Sequence, residues 1–194
     1  MATMCRSWLI GVLLVIQSVH MGLPEVCSAC YNGWVVSEAH FTKQRDEQWM
    51  ALALEQAERA ASLGEVPVGA VAVLDDRVIG QGFNKKESAN DPTAHAELIA
   101  IQEAAASRSN WRLIGVTLYS TLEPCPMCAG AMIQARLERL VYGAKDIRFG
   151  ADGSIVDVLS DPRFNHRVDV TSGVLEEQAA ELMRDFFRRL RLRP

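Results

Sequence analysis

Two short groups of potential metal ligands stand out in the sequence. The first is His95-Ala96-Glu97, and the second is the segment PCPMC at residues 124–128. His95, Cys125 and Cys128 offer one nitrogen and two sulfur ligands, which leaves the fourth position of a tetrahedral zinc ion open, as a catalytic zinc requires. Both groups fall at the predicted starts of helices, where the backbone dipole favours a thiolate over a thiol. The pattern therefore predicts a catalytic zinc ion.

Glu97 is suitably placed to move protons at this predicted site. It follows His95 by two residues, so its carboxylate can approach the open zinc position without occupying it. Zinc lowers the pKa of a bound water to about 7. A neighbouring glutamate can take the released proton and deliver it to a ring nitrogen and then to a departing amine. The two groups together predict a zinc-dependent hydrolytic deaminase that acts on an amidine-like carbon.

A structural role for the same residues is the alternative. A lone C-x-x-C pair is compatible with a buried structural pair, and a structural zinc ion normally has four protein ligands. Cys27 or Cys30 would be a source of the fourth ligand, but this arrangement leaves Glu97 and the helix-start placement without a role. The catalytic hypothesis is therefore favoured.

Composition limits the class of protein. The chain has 194 residues, of which 49% are hydrophobic and 23% charged, a balance typical of one globular domain with a single core. The formal net charge of −4 argues against a uniformly basic surface. Five cysteines that include two C-x-x-C pairs do not resemble a disulfide framework. Arginines are concentrated near the C-terminus, at positions 184, 188, 189, 191 and 193.

Residues 1–44 differ from the rest of the chain. Residues 8–16 are uniformly apolar, a run shorter than the roughly 20 residues of a membrane span but long enough for the apolar part of a secretory signal. No small-residue cleavage motif follows. An export signal, a membrane-proximal tail and translated upstream sequence from a misplaced start are the three explanations. We expect residues 1–44 to lie outside the fold, residues 45–194 to form the deaminase domain, and the protein to be cytoplasmic without stable membrane association.

Hydrophobic periodicity predicts alternating helices and strands in this domain. Helices are predicted over residues 46–63, 93–106, 125–136 and 174–190, and strands over residues 68–74, 78–80, 116–120 and 140–143. Residues 84–92 and 149–153 are predicted loops. The alternation predicts an α/β layered domain with a mixed central sheet.

Longer stretches of the chain resemble one enzyme family. The pairing of H-A-E with P-C-x-x-C is the signature of the cytidine/deoxycytidylate deaminase superfamily. Within it, roughly residues 46–191 are most similar to the bacterial tRNA-specific adenosine deaminases. The matching stretches are EVPVGAV (65–71), DPTAHAE (91–97), TLEPCPMCAGAMI (121–133), VYGAKD (141–146), NHRVDVTSGVL (165–175) and DFFRRLR (185–191).

The resemblance implies a fold, an activity and a set of partners. The fold is a three-layer α/β/α sandwich with a mixed central sheet, as in cytidine deaminases. The activity is hydrolytic deamination of adenosine to inosine at the wobble position of a tRNA anticodon. The implied cofactor is Zn²⁺, one ion per subunit of a homodimer. His95, Cys125 and Cys128 are the implied zinc ligands, and Glu97 is the implied proton shuttle.

The resemblance also implies four substrate contacts. Asn84 would contact the target nucleoside, the backbone of Ala96 would help to recognise the base edge, Asp146 would meet RNA near the flipped base, and Phe187 would belong to a helix that lines the anticodon loop. Each residue has a simpler explanation: Asn84 as a turn residue, Asp146 as a loop cap or surface charge, and Phe187 as part of an amphipathic helix. Because Phe186 and Phe187 cannot face the same way, we expect one to be buried and the other exposed.

Three other functions compete with tRNA editing. A guanine or free-nucleobase deaminase would use the same zinc chemistry but would need no arginine-rich final helix. A cytidine deaminase is disfavoured by the run that follows the first cysteine of the motif, PMCAG at residues 126–130. A non-catalytic RNA-binding protein with a structural zinc ion would have no use for Glu97.

Overall fold

The computed structural model describes residues 38–192, and this part of the chain contains five helices and five strands. In chain order they are α1 (Glu38–Ser62), β1 (Gly69–Leu74), β2 (Arg77–Phe83), α2 (Lys86–Ala89), α3 (Ala96–Arg108), β3 (Thr117–Leu122), α4 (Pro126–Gln134), β4 (Arg139–Ala144), β5 (Asp169–Thr171) and α5 (Glu176–Arg191). Every helix and strand that the hydrophobic pattern predicts is present.

The strands form a mixed sheet in the order β2-β1-β3-β4-β5. β1 pairs antiparallel with β2 and β3, whereas β3–β4 and β4–β5 are parallel pairs. The β1–β2 hairpin turns at Asp75 and Asp76, whose φ angles of 48° and 58° are those of the tight turns that match strand twist. The predicted mixed sheet is confirmed.

Each face of the sheet has its own apolar core, because successive strand side chains point to opposite faces. Ala72 and Leu118 pack on the face that carries α3 and α4. Val71 and Val141 point the other way and pack with Met50 of α1. Helix α5 lies on this second side, where it contacts α1 and β4. The predicted three-layer α/β/α sandwich is therefore confirmed.

Glycines on the strands let two helices approach the sheet closely. A Cβ atom on Gly69 would lie 2.1 Å from the carbonyl oxygen of Ala53 in α1. A Cβ atom on Gly82 would lie 2.3 Å from the carbonyl oxygen of Ala96, the first residue of α3. Both distances are shorter than atoms can approach, so these glycines set the separation between the helices and the strands. The contact at Gly82 in this way brings the first turn of α3 close to β2.

A buried ionic network joins α1 to the middle of the sheet. The carboxylate of Asp46 accepts hydrogen bonds from both terminal nitrogens of Arg139, at 2.9 and 2.7 Å, and from the Tyr119 hydroxyl at 2.9 Å. Arg139 also donates to the Thr171 hydroxyl at 3.0 Å. The network thus connects α1, β3, β4 and β5 through one aspartate that is 3% exposed.

The structure differs from the sequence expectations at several element ends. Helix α1 begins at Glu38, so it crosses the predicted boundary between residues 44 and 45. Helix α3 begins three residues later than predicted, because His95 is its extended N-cap. Neither α2 nor β5 was predicted. Both are too short, at four and three residues, to show a hydrophobic period.

Among the described residues, no helix has the length and apolar content needed to cross a membrane. The apolar run at residues 8–16 and the cysteines Cys5, Cys27 and Cys30 lie outside the described residues. The expectations that rest on these features therefore stay predictions.

We predict that Gly69→Ala lowers the free energy of unfolding by about 1–3 kcal/mol, because the added methyl group must push α1 away from β1. Urea denaturation followed by circular dichroism measures this change. Gly130→Ala is the matched control, since a Cβ atom on Gly130 of α4 meets no neighbour within 4 Å. An unchanged midpoint for Gly69→Ala would show that the helix is free to move.

Candidate metal centre

His95, Cys125 and Cys128 bring their ligand atoms together in a small triangle. The Nδ1 atom of His95 lies 3.6 Å from each cysteine Sγ, and the two sulfurs lie 3.6 Å apart. Among the described residues, the donor atoms of these three side chains lie close enough together to hold a metal ion. The structure thus brings together the three residues that the sequence predicts as ligands.

Two helix starts build this triangle. His95 is the N-cap of α3, and Cys125 is the N-cap of α4, whose first residue is Pro126. Proline suits a first helical position because its missing N–H would have no partner there. Cys128 lies one turn along α4, so both sulfurs face the same point. The positive ends of both helix dipoles point at the triangle and stabilise negative charge on the sulfurs.

Glu97 lies beside the triangle in the first turn of α3 and is 3% exposed. Burial raises the pKa of its carboxyl to about 7, although its own backbone N–H and the charge of His95 act in the opposite direction. A hydrogen bond with the Cys128 side chain also lowers it. The carboxyl therefore changes protonation state near neutral pH, where a general acid and base is most effective.

The two cysteines differ in acidity. A hydrogen bond with Cys128, together with one from His95, lowers the pKa of the Cys125 thiol to about 4. The same sulfur–sulfur hydrogen bond and burial raise the pKa of the Cys128 thiol. Cys125 is also more exposed than Cys128. A bound cation would stabilise negative charge on both sulfurs.

Asn84 is connected to the segment before His95 by a backbone hydrogen bond of its neighbour. The following residue, Lys85, donates its N–H to the carbonyl of Ala94 at 3.0 Å, immediately before His95. The Asn84 side chain is 6% exposed, and its amide nitrogen donates to a carboxylate oxygen of Glu65 at 3.3 Å. Asn84 is thus a buried, oriented residue and not a turn residue exposed to solvent.

Ala96 is fully buried between His95 and Glu97 as the first residue of α3. The first N–H groups of a helix have no partner within it. The backbone of Ala96 therefore lies where a polar group of a ligand could meet the start of α3.

Asp146 lies in the segment after β4, which reaches back to the start of α4. Its backbone N–H donates to the Glu123 carboxylate at 3.0 Å, and Glu123 is two residues before Cys125. Its own carboxylate accepts the N–H groups of Arg148 and Phe149, at 2.8 and 3.2 Å. Asp146 therefore caps a turn, as the simpler explanation expected, in a segment that is held against the metal-binding motif.

Phe187 is placed on α5 and not at the triangle. Its ring contacts Phe186 edge to face, with centroids 5.3 Å apart and an interplanar angle of 81°. Both rings are half-buried. The expectation that one would be buried and the other exposed is wrong, because the mutual contact covers part of each ring.

Comparisons with known proteins agree with this geometry. A family model described as MafB19-like deaminase matches residues 44–191. A tRNA-specific adenosine deaminase from Haemophilus influenzae is 50% identical over 147 residues, which cover 75% of this chain and 85% of the relative. A tRNA-specific adenosine deaminase from Bacillus subtilis is 46% identical over 147 residues, which cover 76% of this chain and 91% of the relative. The chain belongs to the tRNA-specific adenosine deaminase family.

A solved structure supports the same assignment at the level of the fold and the sequence. It comes from a study of A-to-I editing by tRNA:A34 deaminases at the wobble position of transfer RNA. It superposes on this deaminase with a TM-score of 0.67 at 47% identity, over 70% of this chain and 98% of the other. The MafB19-like model and these relatives all span the α/β/α sandwich that carries the triangle.

The donor set of this deaminase fits zinc. A tetrahedral zinc ion with Zn–S bonds of about 2.3 Å and Zn–N bonds of about 2.0–2.1 Å keeps its ligands about 3.5–3.8 Å apart. The three observed separations of 3.6 Å fall within that range. Two sulfurs and one imidazole nitrogen also match the ligand preference of zinc, and three protein ligands leave a fourth position for water or substrate.

Sequence analysis missed two buried glutamates that organise this site. Glu65 and Glu123 are each 1% exposed. Glu65 accepts the N–H groups of Glu87 and Ser88 at the start of α2, in addition to the Asn84 amide. Glu123 accepts hydrogen bonds from the segment that contains Asp146. Both lie in stretches that carry the family resemblance, but their partners are about 20–30 residues away in the chain, so no local spacing reveals them.

We predict that Glu65→Gln lowers the free energy of unfolding at pH 7 by about 1–3 kcal/mol, because a buried carboxylate that accepts three hydrogen bonds is replaced by a neutral amide. Burial alone would raise the pKa of Glu65, but hydrogen bonds from Ser88 and Glu87 and the charge of Lys86 lower it below the ordinary value of 4.5. The unfolded chain therefore binds more protons near that pH, and the stabilisation by Glu65 is lost as pH falls.

Urea unfolding of the parent protein and of the Glu65→Gln variant between pH 3 and pH 7 tests this prediction. The difference in stability should be largest at neutral pH and should shrink on acidification. Glu58→Gln, the same change on an exposed position of α1, is the control. A difference that stays constant across this range would contradict the role assigned to the Glu65 charge.

Proposed function

We propose that this protein deaminates adenosine to inosine at the wobble position of a tRNA anticodon, and that it does so with one zinc ion held by His95, Cys125 and Cys128. The observation that carries the proposal is the triangle of ligand atoms 3.6 Å apart with a buried carboxyl beside it. It occurs in a chain that is 46–50% identical to tRNA-specific adenosine deaminases.

The metal is proposed from the donor set. When bound by such ligands, zinc supplies an acidified water at neutral pH and a positive charge next to the reacting carbon. The chain's own contribution is geometric: α3 and α4 hold the three donor atoms at separations that match a tetrahedral zinc ion. The two helix dipoles stabilise the negative charge that collects there during hydrolysis.

Glu97 is the proposed carrier of protons. Its pKa of about 7 means that a large fraction is ionised at neutral pH and can accept a proton from water. Its burial keeps the carboxyl away from bulk solvent, so the accepted proton remains available. The proton then passes to a ring nitrogen of the base while the water oxygen adds to the carbon that carries the amine. A second proton, from the added hydroxyl, passes to the amine, so that the carbon–nitrogen bond breaks and ammonia leaves.

Recognition of the base is assigned to residues next to the triangle. The Asn84 side chain is held by Glu65, and the residue that follows Asn84 is hydrogen-bonded to Ala94, directly before His95. The Ala96 backbone follows directly after His95. An adenosine that enters this site must leave the stack of the anticodon loop, and a flipped base is recognised by such fixed polar groups.

Contacts to the RNA around the base are assigned to the segment after β4 and to the last turn of α5. The segment with Asp146 also carries Ile147 and Phe149, which are 81% and 66% exposed. Exposed apolar and aromatic side chains suit unstacked nucleotides. The last turn of α5 carries Arg188, Arg189 and Arg191, which suit phosphates. Phe187 belongs to this helix.

We also propose that the protein forms a homodimer and is located in the cytoplasm.

Substrate choice is tested with the purified, zinc-loaded full chain. The substrates are an anticodon stem-loop RNA with adenosine at the wobble position, the same RNA with that adenosine moved into the paired stem, free adenosine and free guanine. We expect inosine only in the first RNA, together with an equal amount of ammonia. Turnover of guanine or free adenosine alone would instead make the protein a free-nucleobase or nucleoside deaminase with the same zinc chemistry.

We predict that Glu97→Gln reduces the rate of deamination by about 10²–10⁴-fold, because the amide cannot accept and return a proton. Zinc content, measured by atomic absorption, should stay at one ion per chain, since Glu97 is not among the three ligand residues. Glu58→Gln should behave as the parent protein. Retained turnover in Glu97→Gln would disprove the proton-transfer role, and loss of zinc would show that Glu97 is a ligand.

A further inference from the structure

The carboxylate of Glu123 is enclosed by one loop, which we define as residues 145–156. One oxygen accepts the Asp146 N–H at 3.0 Å and the Ser154 hydroxyl at 2.5 Å. The other accepts the N–H groups of Asp152 and Ser154, at 2.9 and 3.3 Å. Four hydrogen bonds from three loop residues thus converge on one side chain that is 1% exposed. Such a buried charge is stabilised only while the loop surrounds it.

The loop packs tightly against this carboxylate at Gly150. A Cβ atom on Gly150 would lie 2.4 Å from the Glu123 carboxyl carbon and 2.5 Å from the Asp146 carbonyl oxygen. Gly150 also donates its N–H to that carbonyl at 2.9 Å. The backbone at Gly150 therefore packs directly on Glu123, and the path of the loop depends on the position of that side chain.

Glu123 is itself fixed to the metal-binding motif. Its backbone N–H donates to the Ala144 carbonyl at 2.8 Å, at the end of β4. The next residue, Pro124, accepts the N–H of Ala151 at 2.9 Å, and Cys125 follows as the N-cap of α4. The same three-residue segment therefore holds a proposed zinc ligand at one end and the loop at the other.

We propose that Glu123 is a positioning residue for RNA recognition: it holds loop 145–156 at a fixed distance from the ligand triangle, so that Asp146 and its neighbours meet the nucleotides that flank the target base. This inference rests on the proposed function. Glu123 touches neither the base nor the metal donors in this arrangement and acts through the loop. Its replacement should therefore weaken RNA binding and leave the chemical step intact.

The test is a single-turnover assay of the zinc-loaded full chain with the anticodon stem-loop RNA. For Glu123→Gln, whose amide group cannot accept all four hydrogen bonds, we expect the half-saturating protein concentration to rise at least tenfold. The maximal rate constant should stay within about twofold of the parent value, and the zinc content should be unchanged. Glu58→Gln is the matched control for the loss of one carboxylate.

Two further measurements separate positioning from general destabilisation. Hydrogen exchange followed by mass spectrometry should show faster exchange in peptides from residues 145–156, and unchanged exchange in peptides from α4. Gly150→Ala disturbs the same packing from the other side and keeps Glu123, so it should raise the half-saturating concentration in the same way. Its control is Gly130→Ala. In the double variant, the two effects should not multiply, because either change alone releases the loop.

Each outcome decides between the alternatives. A raised half-saturating concentration with an intact rate constant and faster loop exchange in either variant supports the proposal. A reduced rate constant or lost zinc at an unchanged half-saturating concentration overturns it and makes Glu123 part of the metal centre. Unchanged behaviour of both variants also overturns it. A parent protein that leaves the RNA unedited would instead disprove the proposed function, which the parent assay reports separately.

Discussion

The coincidence of two helix starts is the constraint on which this structure depends. His95 and the cysteine pair come from different helices, so their donor atoms meet only if α3 and α4 begin at the same place on one face of the sheet. Parallel pairing of β3 with β4 and the close seating of α3 on Gly82 achieve this. The dipoles of α3 and α4 also stabilise negative charge at the donor atoms, because both helices begin there.

Three buried glutamates of this domain behave differently because their hydrogen-bond partners differ. Glu65 and Glu123 accept several backbone N–H groups, which offset burial and hold the pKa of each carboxyl below its ordinary value. Glu97 has a far poorer set of donors, so burial prevails and raises its pKa to about 7. The same residue type therefore serves as a fixed anion at two positions and as an exchangeable acid at the third.

The sequence was informative where chemistry or periodicity imposes a local pattern. The H-A-E and P-C-x-x-C groups predicted the ligand triangle, because a helix start places ligands at short spacing on one side. The long helices and buried strands were found by their apolar repeats. In contrast, α2 and β5 have only four and three residues, too few for an apolar pattern to repeat, and the partners of Glu65 and Glu123 lie on other segments of the chain. Tertiary contacts of this kind leave no signal in residue spacing.

The way in which loop 145–156 is attached allows its outward-facing side chains to change during evolution. Glu123 holds the loop chiefly through backbone amides, which every residue except proline provides. The side chains at positions such as Ile147 and Phe149 project outward and are not needed for that attachment. Mutation can therefore change what the loop recognises while the reaction centre stays constant. Selection can act on substrate preference and on chemistry separately, because most of the hydrogen bonds that attach the loop to Glu123 come from the main chain.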